Sequence, residues 1–271
     1  MRKLVQTGKV RVDGRVVTDP QLVVNRGATV TLQMSAPRPA AGAVPRDALV
    51  HVDPHVVVVR KPAGIATVPY EDERDTLDRV VQSLLRKVAR PGTSIAPLGV
   101  VQRLDKETSG LLVFARTTSA KRHLQQQLRE HSVHRRYVAI AHGEVGAKVH
   151  RSFLVQNRGD GLRGSTNNHE LGREAITHVT PIESLAGATL IECRLQTGRT
   201  HQIRIHLAEA GHPLVGERIY VRGFSGEQLA APRVMLHAAE LGFVHPHTGQ
   251  TLRFEDPIPP EMSAVIATLR R

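Results

Sequence analysis

The stretch "RLDKETSGLLVFART", Arg103 to Thr117, joins a charged octet to a run of apolar residues, Leu111-Leu112-Val113-Phe114-Ala115. Pro97-Leu98-Gly99-Val100-Val101 precedes it, so Arg103–Gly110 lies between two apolar segments. Asp-Lys-Glu-Thr-Ser-Gly has the composition of a turn, because Asp and Ser hydrogen-bond local backbone and Gly supplies positive φ. Leu111–Ala115 has the length of a buried strand. Alone, the stretch reads as a polar loop feeding a strand. Asp105, between Arg103 and Lys106, becomes a chemical group only if a cation from elsewhere in the fold keeps it ionised in a dry pocket.

Outward from this stretch, short strands and amphipathic helices predict one α+β domain. Val56–Val59 predicts a buried strand ending at Lys61-Pro62-Ala63-Gly64. Leu77, Val80, Val81, Leu84, Leu85 and Val88 recur at helical spacing over Thr76–Val88. Ala120–Arg129 predicts a second helix capped by Ser119, and His201–Ala210 a third, with Thr200 as cap and Gly211 as stop. Tyr137–His142, Thr189–Leu195, Met235–Val244 and Thr251–Phe254 predict strands. Asn157–Arg173, with four glycines and two adjacent asparagines, predicts a mobile loop. Near the start, "GKVRVDGRVV" (Gly8–Val17) predicts a hairpin about Asp13-Gly14. "APRPAAGAVPRD" (Ala36–Asp47) predicts a linker. The expected division is therefore 1–36, a linker over 37–47, and a main domain over 48–271.

Composition narrows the function classes. The chain has 271 residues, a formal net charge of +12 and 40% hydrophobic residues, enough for a packed core. So positive a field favours a polyanion, with nucleic acid first. Aromatics are 3% with no Trp, which argues against single-strand binding by base stacking and for a grip by charge and shape. No apolar run has the length of a membrane span and the N-terminus lacks an apolar signal core, so no membrane association is expected. The one cysteine, Cys193, alternates with Ile191 and Leu195 as a core thiol. A reducing, cytoplasmic setting is expected.

Two further clusters carry charge. In "THQIRIHLAEAG", Ile203, Leu207 and Ala210 predict a core face, while His201 and Arg204 neighbour each other on a different one. With Arg199 they gather at a helix start, an arrangement suited to an anion and equally to a solvated face. In "EHSVHRRYVAI", His131, His134, Arg135 and Arg136 precede the strand headed by Tyr137. The histidines, though 15 in number, show no zinc spacing, and no phosphate-cradling Gly-rich loop or nucleophile elbow occurs. No metal and no cofactor are expected.

Together these residues are recognisable. "RLDKETSGLLVFART" resembles the catalytic motif of the RluA-type pseudouridine synthases. "LQTGRTHQIRIHLAEAGHPLVGERIY" (Leu195–Tyr220), "VVVVRKPAGIATVP" (Val56–Pro69), "RRYVAIAHGEV" (Arg135–Val145) and "LHAAELGFVHPHTGQTLRFEDPIP" (Leu236–Pro259) are similar to its other segments, in family order. The resemblance implies a mixed, mostly antiparallel central sheet with flanking helices and a catalytic cleft. It implies Asp105 as the essential carboxylate, Arg204 as its ion-pair partner and Tyr137 as the tyrosine packed on the target base. It gives Arg103 the gap left by the flipped nucleotide, and Arg199 and His201 contacts to the pocket or RNA backbone. Lys61 is counted on the substrate side, with Lys61-Pro62 shaping the pocket floor. Gln102 departs from the histidine common in the family. Residues 1–36 resemble the second half of an S4-type RNA-binding module, with Arg2, Lys3, Lys9 and Arg11 as its RNA contacts.

The function so implied is isomerisation of a specific uridine in rRNA, ahead of tRNA, to pseudouridine. The alternatives are an RNA-binding ribosome-assembly factor of the same fold that does not need catalysis, and a metal-dependent RNA hydrolase, against which the histidine spacing argues. A monomer is the default expectation.

Overall fold

Four consecutive valines, Val56–Val59, are entirely buried, with neighbours pointing to opposite faces of one strand. Only a sheet covered on both sides buries such a run. The computed structural model describes residues 4–5, 7–17, 22, 24, 26–36, 44–69, 75–90 and 94–270. Three strands near the N-terminus, β1 (Val10–Val12), β2 (Arg15–Val17) and β3 (Val30–Leu32), form a separate sheet in the order β2-β1-β3. The β1–β2 turn places Asp13 at φ 49° and Gly14 at φ 76°, the left-handed pair a two-residue hairpin requires. Val5, Val10 and Val17 form its small core.

The remaining strands are β4 (Leu49–Val52), β5 (Val56–Lys61), β6 (Gly99–Val100), β7 (Ser109–Ala115), β8 (His134–His142), β9 (Lys148–Val155), β10 (Gly164–Thr166), β11 (Arg173–Leu185), β12 (Ala188–Leu195), β13 (Leu236–Val244) and β14 (Thr251–Glu255). They form one sheet in the order β10-β9-β11-β12-β8-β13-β7-β5-β4, with β14 on β13 and β6 on β7. Every pairing is antiparallel except β13–β7, which is parallel at His237–Ser109 and Ala238–Gly110.

Helices α1 (Leu77–Val88), α2 (Thr118–Arg129), α3 (Gln202–Glu209) and α4 (Pro260–Leu269) cover the sheet. On one face Val57, Val59, Leu112, Phe114, Tyr137 and Ile191 pack with Leu77, Val81 and Leu85 of α1 and with Ile203 and Leu207 of α3. On the other, Val56, Val58, Leu111 and Val113 pack with Ala120 and Leu124 of α2, while Val138, Ile140 and Leu190 pack with Met262 and Ile266 of α4. Each such aliphatic side chain contributes roughly 1.5–3 kcal/mol of transfer free energy.

Several local expectations are corrected. The Thr117 hydroxyl, not Ser119, caps α2, accepting from the Ala120 N–H at 3.1 Å. The N-cap of α3 is His201 in a left-handed conformation, not Thr200. Gln202–Leu207 are all buried, so α3 has no solvated face over that stretch. Residues 157–173 are not wholly loop, since β10 lies within them and pairs with β9. Strands β9 and β11 and helix α4 were not anticipated.

Candidate active site

The Arg103–Gly110 loop is held from several directions. The Thr67 hydroxyl donates to the Leu104 carbonyl at 2.8 Å and accepts the Leu104 N–H at 3.1 Å. On the far side of Asp105, the Lys106 carbonyl accepts from the Gly64 N–H at 2.8 Å and from Lys61 Nζ at 2.9 Å. Lys61 Nζ also donates to the Thr108 carbonyl at 2.7 Å and the Pro62 carbonyl at 3.0 Å. Arg233 reaches the Glu107 carbonyl and the Ser109 hydroxyl. Gly110 then enters β7 at φ 111°, and a Cβ there would sit 2.3 Å from the Ala238 carbonyl oxygen. That glycine permits the close parallel approach of β13. Both residues flanking Asp105 are therefore pinned, and its side chain is left to face the cleft.

Helix α3 meets Asp105. Arg204 Nη1 lies 3.9 Å from Oδ2, and His201 Nε2 lies 3.9 Å from Oδ1. Arg204 is 4% exposed, which demands a full set of partners. Glu217 supplies them, accepting from Nε and Nη2 at 2.7 Å each. Glu217 Oε1 also accepts the N–H groups of Arg218 at 3.0 Å and Ile219 at 2.9 Å. Burial opposes both charges, but the mutual attraction and hydrogen bonds win: Glu217 is held below its ordinary pKa and Arg204 above its own. The Tyr220 ring lies under the guanidinium, 5.4 Å from centroid to Cζ, and its hydroxyl meets His201 Nδ1 at 2.7 Å.

The turn before α3 is fixed by Gln202. Its amide oxygen accepts from the Thr197 hydroxyl at 2.8 Å and the Arg199 N–H at 2.9 Å. Its amide nitrogen donates to the Ile176 carbonyl at 3.0 Å and the Thr177 hydroxyl at 2.9 Å, so the buried amide is satisfied. Arg135, 7% exposed, donates to the Gln196 carbonyl at 3.0 Å and braces the same turn. Tyr137 stands next but one to Arg135 on β8 and is 8% exposed. Burial pushes its phenol up to about 12, so it carries its proton at neutral pH.

These groups line a cleft of about 550 Å³ that contains Asp105, Tyr137, His201, Arg103 and Arg199. Its further cationic or titratable walls are Arg129, His131 and Arg135; Asp105 is the acidic residue among those lining it. Gln102 also lines it. Lys61 does not: it is fully buried beneath the loop, so the substrate-side expectation gives way to a bracing role. Lys9 donates to the Ala36 carbonyl and Arg11 to the Gly14 carbonyl at 2.9 Å, both within the N-terminal segment. Arg2 and Lys3 lie outside the described residues. The residues sequence reasoning missed are Glu217, Tyr220 and Gln202. All three stand inside the quoted "LQTGRTHQIRIHLAEAGHPLVGERIY"; the signal for Glu217 was that a buried arginine requires a carboxylate.

A mostly antiparallel sheet with helices on both faces is the architecture of a class of solved structures. The protein titled human RNA pseudouridylate synthase domain containing 4 superposes with a TM-score of 0.67 at 23% identity, over 83% of this chain and 95% of that one. The domain containing 1 protein gives 0.62 at 24% identity, over 79% and 85%. Those likenesses establish the fold. A family model described as RNA pseudouridylate synthase matches residues 55–209, and an S4 domain model matches residues 1–30. Among curated relatives, ribosomal large subunit pseudouridine synthase D of Zymomonas mobilis is 35% identical over 288 residues, covering 99% of this chain and 88% of the relative. The protein of the same name from Vibrio parahaemolyticus is 34% identical, covering 100% and 86%. The chain belongs to the RNA pseudouridylate synthase family and is an RNA pseudouridine synthase.

No described helix is long and apolar enough to cross a membrane.

Proposed function

We propose that this enzyme isomerises a uridine of large-subunit rRNA to pseudouridine, with Asp105 as the acting carboxylate. The observation that carries this reading is the immobilised Asp105, set between Arg204 and His201 in a cleft whose other charged walls are arginines. The names borne by the relatives above support the choice of RNA. The reaction breaks the N1–C1′ glycosidic bond, turns the base and joins C5 to C1′; C5 then loses its proton and N1 gains one, so the product is an isomer. Asp105 serves it either by attacking C1′ or by taking a sugar proton, and both routes need an ionised carboxylate close to the ribose. Arg204 Nη1 faces that carboxylate at 3.9 Å. Tyr137, protonated and half-walled by apolar side chains, packs on the base. Arg103, exposed at the rim, fills the stack when the nucleotide leaves it, and Arg199 meets the backbone. Extrusion costs a few kcal/mol, roughly, and least at a loop or bulge, where the target uridine is expected.

Residues 48–271 carry the chemistry in this reading. Residues 1–36, Arg2, Lys3, Lys9 and Arg11 among them, add affinity for RNA, and 37–47 link the two. The enzyme acts in the cytoplasm, in keeping with a lone, buried thiol, and does so as a monomer. Site-resolved pseudouridine mapping of rRNA tests the substrate. Cells lacking the protein should lose modification at particular large-subunit uridines, and wild type but not Asp105→Asn should restore it. Loss confined to tRNA would overturn the choice of rRNA.

A further inference from the structure

Asp105 has two carboxylate oxygens, and α3 addresses each with a different side chain: Arg204 toward Oδ2 and His201 toward Oδ1. His201 stands at the N-cap of α3, yet its side chain makes no capping hydrogen bond. Its backbone adopts φ 59° and ψ 18°, a left-handed conformation that a non-glycine residue resists. The imidazole instead lies in the cleft, edge-on to Tyr220, with ring centroids 5.5 Å apart and planes at 78°.

The bond between these rings determines where the histidine proton sits. Tyr220 is 5% exposed, and burial holds its phenol above the ordinary value, so the hydroxyl keeps its proton. A buried hydroxyl that donates to nothing carries an uncompensated desolvation cost. Among the described residues the hydroxyl's partner is His201 Nδ1, at 2.7 Å. Donation there leaves Nδ1 as acceptor and puts the neutral imidazole's proton on Nε2, the nitrogen that faces Asp105.

We infer that His201, locked in this tautomer by Tyr220, is a positioning residue for Asp105: its Nε2–H takes Oδ1 while Arg204 takes Oδ2, selecting the carboxylate orientation that meets the ribose. The inference rests on Asp105 as the acting group. The present separation of 3.9 Å is an ion-pair distance; a swing of about 1 Å makes it a hydrogen bond. No proton changes hands, since Nε2 keeps its own throughout. The Tyr220 ring serves Arg204 and the hydroxyl serves His201, so Tyr220→Phe removes the second function and keeps the first.

Single-turnover kinetics on unmodified large-subunit rRNA, with RNA affinity measured alongside, tests this in five proteins: wild type, His201→Ala, His201→Gln, Tyr220→Phe and the Gln/Phe double variant. His201→Ala should lose about 10–100-fold in rate with RNA affinity within about twofold, the rate equivalent of losing one hydrogen bond to a charged group. Gln, whose amide N–H occupies the Nε2 position without a tautomer to fix, should recover much of that loss. Tyr220→Phe should cost about five- to tenfold beside His201 and less than about twofold beside Gln, because the two sites are coupled. An equal cost in both backgrounds, or a wild-type rate for His201→Ala, overturns the inference. Asp105→Asn run in parallel separates the two claims: its inactivity beside a fully active His201→Ala sinks the His201 role alone, whereas a fully active Asp105→Asn sinks the reading of Asp105 itself.

Discussion

Arg204 divides its guanidinium between two carboxylates of unequal reach. Glu217 takes Nε and Nη2 at 2.7 Å, and Asp105 faces Nη1 at 3.9 Å. The first pair fixes the arginine and the second uses it. Replacing Glu217 by Ala leaves a buried cation without its close counter-ion, and should cost about 3–5 kcal/mol in urea unfolding. Lys61 works on the other side of the loop. Burial pulls its pKa from 10.5 to about 7, against the pull of Asp105 and Glu107. Between those values the unfolded chain holds a proton that the native state gives up, so the lysine's contribution to stability rises with pH across about 7 to 10 and is flat below. The difference in urea midpoint between wild type and Lys61→Met should grow in that direction; a difference independent of pH would contradict it. At this scale the motifs disclosed Asp105, Arg204 and Tyr137. Glu217 stayed hidden because its partner lies thirteen residues back across the reversal at Gly211, and an acid in a polar turn looks solvated.

Among the elements, the loop-to-strand passage at Gly110 matters most to the site. The sheet is antiparallel except where β7 and β13 run parallel, and Gly110 lies against the Ala238 backbone there. Gly110→Ala adds a methyl where no space exists, at a φ of 111° that alanine resists. It should destabilise by about 2–3 kcal/mol or more and lower turnover by displacing the Asp105 loop, read by thermal melting and by rate together. Elements with strong local pattern were legible: α1 from its apolar spacing and the hairpin from Asp13-Gly14. Strands β9 and β11 were not, because the adjacent Lys148 and Val149, on opposite faces of β9, are both exposed and Val149 shares the outer face with Arg151 and His178, so no clean alternation shows. The cap of α3 was misread because a left-handed histidine has no signature in sequence; the local preference for Thr200 yields to the Tyr220 and Asp105 contacts of the folded site.

For the whole molecule, the formal charge of +12 has a share at the cleft, where Arg103, Arg129, Arg135 and Arg199 line one cavity with a single acid. Affinity for RNA should therefore fall steeply with salt. Arg199→Ala, which removes one exposed rim cation, should reduce the magnitude of the log–log salt slope by up to about 1 without altering the fold. An unchanged slope would mean this arginine does not meet phosphate. Charge and low aromatic content thus indicated the kind of partner, while the convergence of loop, α3 and β8 on one cleft needed the fold. The most direct test of that convergence follows the hydrogen displaced when C5 of uridine joins C1′. With large-subunit rRNA carrying tritium at uridine C5, the wild-type enzyme should release label, and Asp105→Asn should bind the RNA with similar affinity and release none above background. Release by Asp105→Asn at the wild-type rate would contradict the account.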